Sequence, residues 1–274
     1  MMKLSIITIN LNNVAGLRQT IESVVKQSFN DFEYIIIDGG STDGSKELIG
    51  SFSDRIYFWL SEPDSGIYQA MNKAIKQARG EYLLFLNSGD YLVSSEVLAS
   101  VFEIGFTEDI VIGECNISQN QKVMFHAVPP NSITLQAFIG QTIPHQSAFI
   151  RLDLFERLGH YQEKYRIHSD LEFFIRALIV NNCTYRHVPV TISNYNLEGL
   201  SSDSKNRSFS EEECNTILNS LIPLRVLKDY EFWELQKKEM DILHWVISKP
   251  VLYKPLTWIY FTASTIVKYK KKLK

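Results

Sequence analysis

Apolar residues follow two alternating rhythms over the first ninety positions. Short runs rich in β-branched residues (Leu4–Ile9, Tyr34–Ile37, Arg55–Leu60 and Tyr82–Leu86) read as strands, the pattern of a parallel sheet covered on both faces. Between them the spacing turns helical. Val14, Leu17, Ile21, Val24 and Val25 recur on one helix face behind Asn12 and Asn13, residue types that cap helices. Ser45–Phe52 predicts a short helix after the turn cluster Gly39-Gly40-Ser41-Thr42-Asp43-Gly44. Ser65–Ala78 predicts another, with Ile67, Ala70, Met71, Ala74 and Ile75 on its apolar face and Gly80 as its stop. Strand–helix alternation with short loops implies a parallel sheet joined by right-handed crossovers.

The middle of the chain is less regular. Asp109–Gly113, Gln121–Phe125, Gln146–Ile150 and Tyr185–Val188 read as strands, and Pro129-Pro130 interrupts them. A short helix runs to Leu158, and His168–Val180 reads as a helix with Leu171, Phe174, Ile175 and Leu178 on its apolar face. Asn196–Arg207 is polar, rich in Ser and Gly, and reads as a loop. Glu211–Val246 reads as helix broken at Pro223, and a tail follows Pro250.

A chain of 274 residues with 45% hydrophobic and 22% charged residues suits one large α/β domain or two small ones. It does not suit a disordered, collagenous or disulfide-stapled chain. The net charge of −3 argues against binding nucleic acid through bulk positive charge. Cys115, Cys183 and Cys214 are odd in number, far apart and without a CxxC pair, which fits a reduced compartment and excludes a cysteine zinc site. The N-terminal apolar run reads as a first strand rather than a leader, and no run of about 20 apolar residues predicts a membrane span. Lys254, Lys268, Lys270, Lys271, Lys272 and Lys274 concentrate positive charge at the end of an otherwise acidic chain.

In parallel α/β sheets, ligands bind beyond the carboxyl ends of the strands. Here those ends carry Asn10 and Asn12, Asp38, and Asn87-Ser88-Gly89-Asp90. Asp38, followed by two glycines, can accept from ribose hydroxyls; a capping or turn role is the alternative. The dinucleotide fingerprint GxGxxG is absent after the first strand, so NAD and FAD are not expected. Asn87–Asp90 offers a carboxylate and amide oxygens to a hard divalent cation, or forms an Asx turn. Asp170 reads either as a first-turn acid suited to a helix dipole or as a general base, with Glu172 competing. His145 reads as a ligand contact or a structural residue, without the partners a metal ligand needs.

Ser5-Ile6-Ile7-Thr8-Ile9-Asn10-Leu11-Asn12, Ile37-Asp38-Gly39-Gly40-Ser41-Thr42-Asp43-Gly44, Glu62-Pro63-Asp64-Ser65-Gly66-Ile67-Tyr68-Gln69-Ala70-Met71-Asn72-Lys73, Phe85-Leu86-Asn87-Ser88-Gly89-Asp90, Pro144-His145-Gln146-Ser147 and Ser169-Asp170-Leu171 stand in an order and spacing that resembles family 2 glycosyltransferases over roughly residues 3–200. The resemblance implies a GT-A fold: a Rossmann-like, mostly parallel sheet flanked by helices, with a helical C-terminal extension. It implies a GT-A domain over 1–205, with a nucleotide-binding half of about 1–92 and an acceptor half of about 93–205, and an extension over 206–274.

It further implies transfer of one sugar from a nucleotide-diphosphate sugar to an acceptor hydroxyl, with inversion. By position, Ile9, Asn10, Asn12, Asp38, Asp64, Asn72, Asn87 and Ser88 would hold the donor, and Asp90 a Mn²⁺ or Mg²⁺ ion. Asp170 would be the base, and His145 and Gln146 would line the acceptor side. Two motifs depart from the family pattern. Asn87 and Gly89 replace acids of the metal motif, and Ser169 replaces the usual Glu before the base.

The tail from Leu256 to Val267, apolar and aromatic before its lysines, fits an interfacial helix or a helix docked on the core. A saccharide or lipid-linked acceptor, and a cytoplasmic place at the inner membrane face, would suit the first. A nucleotidyltransferase that makes nucleotide-sugars and a non-catalytic carbohydrate-binding module are the competing readings.

Overall fold

β1 (Leu4–Asn10) lies between β2 (Phe32–Asp38) and β4 (Tyr82–Phe85), parallel to both, and β3 (Phe58–Ser61) extends the sheet beyond β2 in the same sense. Residues 2–119, 122–139, 143–197, 206–249 and 255 are described in this computed structural model. Every residue of β1 is buried, as a strand covered on both faces requires. The crossovers are α1 (Val14–Val25), α2 (Ser45–Ser51) and α3 (Ile67–Ile75). Asn13 caps α1, its Oδ1 accepting from the Gly16 N–H at 3.1 Å. Leu17, Ile21 and Val24 of α1 join Leu4, Ile6, Tyr34, Ile36 and Leu84 in the core.

The second half of the sheet is mixed rather than parallel. β8 (Ala148–Arg151) sits beside β4 and β6 (Ile110–Gln119) and runs antiparallel to both. β9 (Tyr185–Asn196) then pairs with β6 in parallel, and β5 (Tyr91–Leu92) closes the order β3-β2-β1-β4-β8-β6-β9-β5. β7 (Lys122–Ala127) forms an antiparallel ribbon with β6. The reversal at β8 has a direct consequence. The start of β8 lies beside the end of β4, so residues entering β8 meet residues leaving β4 and β9 at one rim.

β9 runs well past the predicted Val188. Pro189 signals an end, but it falls in a shift of register between the pairs Ile112–His187 and Glu114–Thr191, where the ladder needs no N–H from it. Gly113 makes this approach possible: a Cβ there would lie 2.3 Å from Ile192 Cγ1 and 2.7 Å from the Val190 carbonyl oxygen. α4 (Val97–Ile104), too short for its periodicity to stand out, buries Val97, Leu98 and Val101. Within 121–125, the predicted strand begins at Lys122; Gln121 lies outside the described residues.

α5 (Leu152–Leu158) and α6 (Ser169–Phe174) follow β8, and α6 continues as a π-helical turn, Ile175–Val180. Phe155 and Phe173 stack at 4.4 Å between centroids, and Tyr161 packs edge-on against both. This aromatic cluster fixes α6 against the sheet. The chain divides into two compact units, Met1–Leu221 and Ile222–Lys274. α7 (Arg207–Leu221) belongs to the first, and α8 (Leu224–Ile247) lies in the second. No helix among the described residues is long and apolar enough to cross a membrane. The predicted tail helix over 256–267 and most of the predicted 196–207 loop lie outside the described residues.

Candidate active site

The end of β2 is tied to the end of β1 by one buried carboxylate. Asp38 Oδ1 accepts from Asn10 Nδ2 at 2.8 Å and from the Ser41 hydroxyl at 2.5 Å; Oδ2 accepts from Ser61 Oγ at 2.7 Å and the Ser41 N–H at 2.9 Å. Burial raises the carboxyl's pKa, but these bonds from Ser41, Ser61 and Asn10 outweigh it and hold Asp38 below its ordinary range. Asn12, at φ 48°, accepts the Thr42 N–H on Oδ1 at 2.9 Å and so pins the glycine turn. Asn10 Oδ1 is buried without a partner. Asp64 stands over the turn, so near that a Cβ on Gly39 would come within 2.8 Å of its Oδ2.

β4 leads into a tight turn, closed by the Asp90 N–H donating to the Asn87 carbonyl at 2.9 Å, with Gly89 at φ 104°. The Ser88 N–H donates to the Ile9 carbonyl at 3.1 Å, and Thr20 of α1 clamps the turn by accepting the Gly89 N–H at 3.0 Å and donating to the Asp90 carbonyl at 2.7 Å. Asp90 is 4% exposed, and its Oδ1 accepts the Asn196 N–H at 2.9 Å. Burial pushes its carboxyl up to about 7, against the opposing influences of Asn196, His145 and Gln146.

Asp170 opens α6. Its Oδ1 accepts from the Tyr68 hydroxyl at 2.8 Å and from the Leu171 N–H at 2.9 Å, and its Oδ2 faces His145 Nδ1 at 2.7 Å. Burial acts to raise the Asp170 carboxyl, but the bond and charge of His145, the Tyr68 bond and the His168 charge together hold it below the ordinary carboxylate value. Burial lowers His145, yet Asp170 and Asp90 outweigh this and raise it above 6.5. The turn before α6 is set from α7. Glu213, 7% exposed, accepts the N–H groups of Arg166 at 2.6 Å and of Ile167 and His168 at 2.8 Å each. Ser169, at the departure from the family pattern, accepts the Gln162 N–H at 2.6 Å.

A single cavity of about 1450 Å³ brings Ile9, Asn10, Asp64, Asn87, Ser88, Asp90, His145, Gln146 and Asp170 together. Asn12, Asp38 and Asn72 are not among its lining residues. Asp38, buried, and Asn12, exposed, hold the glycine turn instead, through Ser41 and Thr42. Asn72 bridges α3 to the later chain, Nδ2 donating to the Tyr161 carbonyl at 2.9 Å and to Glu163 Oε1 at 3.0 Å. Glu172, the competing base, forks onto Arg176 with both contacts at 3.0 Å and does not line the cavity. Tyr68 and Glu213 escape the sequence reading. Tyr68 stands among the apolar positions of the Glu62–Lys73 motif, and Glu213 sits in a polar helix where nothing distinguishes it.

A divalent cation fits this rim by donor chemistry. Among the described residues no group of three His, Cys, Asp or Glu side chains could hold a metal alone. Asp90 supplies one buried hard oxygen, and Asn87 Oδ1 is a buried acceptor without a partner. A phosphorylated ligand would have to complete such a shell.

The mixed sheet with helices on its faces and this rim site define a GT-A glycosyltransferase. The chain matches the glycosyl transferase family 2 profile over residues 5–156 and belongs to that family. It is 32% identical over 212 residues to a PGL/p-HBAD biosynthesis glycosyltransferase of Mycobacterium bovis, covering 75% of this chain and 81% of the relative. Among solved structures it resembles S. aureus TarS 1-349 in complex with UDP-GlcNAc, with a TM-score of 0.63 and 22% identity over 80% of this chain and 67% of that one. It also resembles the mannosyltransferase PcManGT of Pyrobaculum calidifontis in complex with GDP-Man and Mn²⁺, with a TM-score of 0.51 and 14% identity over 70% and 56% of the two chains. The chain spans 40% of the longer TarS chain. Family membership removes the nucleotidyltransferase reading.

Proposed function

We propose that this protein is an inverting glycosyltransferase that takes a sugar from a uridine-diphosphate sugar, with Asp170 as base and a Mn²⁺ or Mg²⁺ ion at Asp90. The observation that carries this reading is that Asn10, Asp64, Asp90 and Asp170, drawn from four separate parts of the chain, line one cavity. Asn10, with its buried unpartnered Oδ1, and Asp64 receive the nucleoside. Asn87, Ser88 and Asp90 receive the diphosphate. When bound, the ion stabilises the charge that gathers on that diphosphate.

The acceptor hydroxyl oxygen bonds to the anomeric carbon as the bond from that carbon to the diphosphate oxygen breaks. The electron pair leaves on the diphosphate, and the hydroxyl proton passes to Asp170 Oδ2. A positioned base of this kind contributes about 10²–10⁴-fold. Its depressed pKa keeps Asp170 in the ionised form that a base requires.

The donor half is about 1–92 and the acceptor half about 93–205, with His145 and Gln146 on the acceptor side. The acceptor is a saccharide or lipid-linked saccharide of a surface polymer, a reading supported by the biosynthetic role of the mycobacterial relative. The protein acts in the cytoplasm at the inner membrane face, where the basic tail over 256–274 meets anionic lipid; that tail lies outside the described residues.

A thermal-shift screen of UDP, GDP, UDP-GlcNAc, UDP-glucose and UDP-galactose, each with and without Mn²⁺, tests the donor class. UDP and one UDP-sugar should raise Tm, more so with Mn²⁺, because a ligand that binds only the folded state stabilises it. A rise with GDP alone, or with none, overturns it.

A further inference from the structure

His145 is held from both sides of its ring. It enters the rim on the 3-10 turn His145–Ser147, and its side chain is 15% exposed. Nε2 lies 3.2 Å from Asn87 Nδ2, and Nδ1 lies 2.7 Å from Asp170 Oδ2. A carboxylate oxygen can only accept, so Nδ1 carries a proton aimed at Asp170 Oδ2, while Nε2 meets the Asn87 side-chain amide.

The other oxygen of Asp170 is already committed to Tyr68 and the Leu171 N–H. Three bonds from three elements therefore fix the carboxylate plane. The remaining accepting capacity is on Oδ2, the oxygen that His145 orients. Removing one bond from a largely buried carboxylate leaves that oxygen unsatisfied and the carboxylate less firmly oriented.

We propose that His145 is a positioning residue for Asp170, and that the chain Asn87–His145–Asp170 ties the orientation of the base to the turn that receives the donor diphosphate. This rests on the reading of Asp170 as the base. The link spans the two halves of the site. Asn87 leaves β4 beside Asp90, whereas Asp170 opens α6, and among the described residues the His145 imidazole bonds to both. A change of Asn87 on the donor side is thus transmitted to Oδ2.

The test compares UDP release from UDP-GlcNAc, UDP-glucose and UDP-galactose by the full chain and by His145→Ala, His145→Asn and His145→Gln. His145→Ala should lower kcat by about 10²-fold, the lower end of what a positioned base supplies, with the donor KM changed by less than about twofold. His145→Asn places an amide donor where Nδ1–H stood and should recover about tenfold of that loss, and added imidazole should raise the turnover of His145→Ala. His145→Gln, whose amide reaches the Nε2 position, should recover less. A crystal structure of His145→Ala asks the same question without turnover: the Asp170 carboxylate should have rotated.

Unchanged kcat in His145→Ala, a loss confined to donor KM, or an Asp170 carboxylate that has not moved overturns the positioning role. Full turnover by Asp170→Asn overturns the base assignment beneath it. Inactive Asp170→Asn beside fully active His145→Ala refutes the inference alone.

Discussion

Tyr68 Oη lies 2.8 Å from Asp170 Oδ1, across 102 residues of sequence, and its proton is shared with the Ile167 carbonyl. α3, which borders the donor side, thereby holds the acid that opens α6. Burial raises the Tyr68 hydroxyl well above its ordinary pKa, helped by the Asp170 charge, so it stays a donor throughout the working pH range. Tyr68→Phe should lower kcat about tenfold while UDP affinity stays within about twofold, since one hydrogen bond to a charged group is worth roughly 1.5–3 kcal/mol. Steady-state kinetics beside calorimetric UDP titration measures both.

Asp170→Asn keeps the shape of the side chain and removes its capacity to accept a proton. Turnover should fall by about 10²–10⁴-fold with UDP binding unchanged. A drop in UDP affinity of the same size would instead make Asp170 a donor contact.

Asp90 gives the chain a pH signature. Its carboxyl titrates near 3.8 when unfolded and near 7 when folded without metal, so between these values the native state holds a proton that the unfolded state has lost. The associated stability is complete below the unfolded value and is lost as pH rises through the folded one. Metal-free protein should therefore lose Tm between about pH 4 and pH 7 through this group, and Asp90→Asn should flatten that slope. Urea unfolding in EDTA across the window, wild type against Asp90→Asn, checks it; parallel slopes refute it. The same variant should lose Mn²⁺-dependent UDP binding.

Glu213 closes three backbone N–H groups with one carboxylate. Glu213→Ala should destabilise the first unit by about 3 kcal/mol and lower Tm by several degrees, because two of these donors, on Ile167 and His168, are buried. Turnover should fall more than UDP affinity, since the freed turn carries Asp170. A thermal melt with a parallel UDP titration separates the two effects.

Gly39 leaves room for Asp64, and a methyl group there would meet Asp64 Oδ2 at 2.8 Å and Leu11 Cδ1 at 3.2 Å. Gly39→Ala should displace Asp64 and weaken UDP binding about tenfold, or 1.4 kcal/mol, while the far end of a flexible side chain yields and Tm moves little. Calorimetric titration with UDP reads the change.

The first half of the fold was legible because its signals are local. Leu4–Asn10, Phe32–Asp38 and Tyr82–Phe85 are strands because they are continuous apolar runs between turn residues, and Asn10, Asp38 and Asn87 stand at or just past their ends. The second half was less legible. The antiparallel insertion of β8, and the passage of β9 through Pro189, depend on neighbours far away in sequence.

Residue types at strand ends therefore determined which chemistry this chain can hold: amides and carboxylates, one acid near Asn87, another at Asp170. Tertiary structure alone decided their offices. It turned Asp38 and Asn72 inward, sent Glu172 to Arg176, and brought Tyr68, His145 and Glu213 to the support of Asp170. The physical reason is that a side chain's role is set by its hydrogen-bond partners, and most of these, such as Asp38 for Asn10, Tyr161 for Asn72 and Tyr68 for Asp170, lie tens of residues away and meet only in the folded chain.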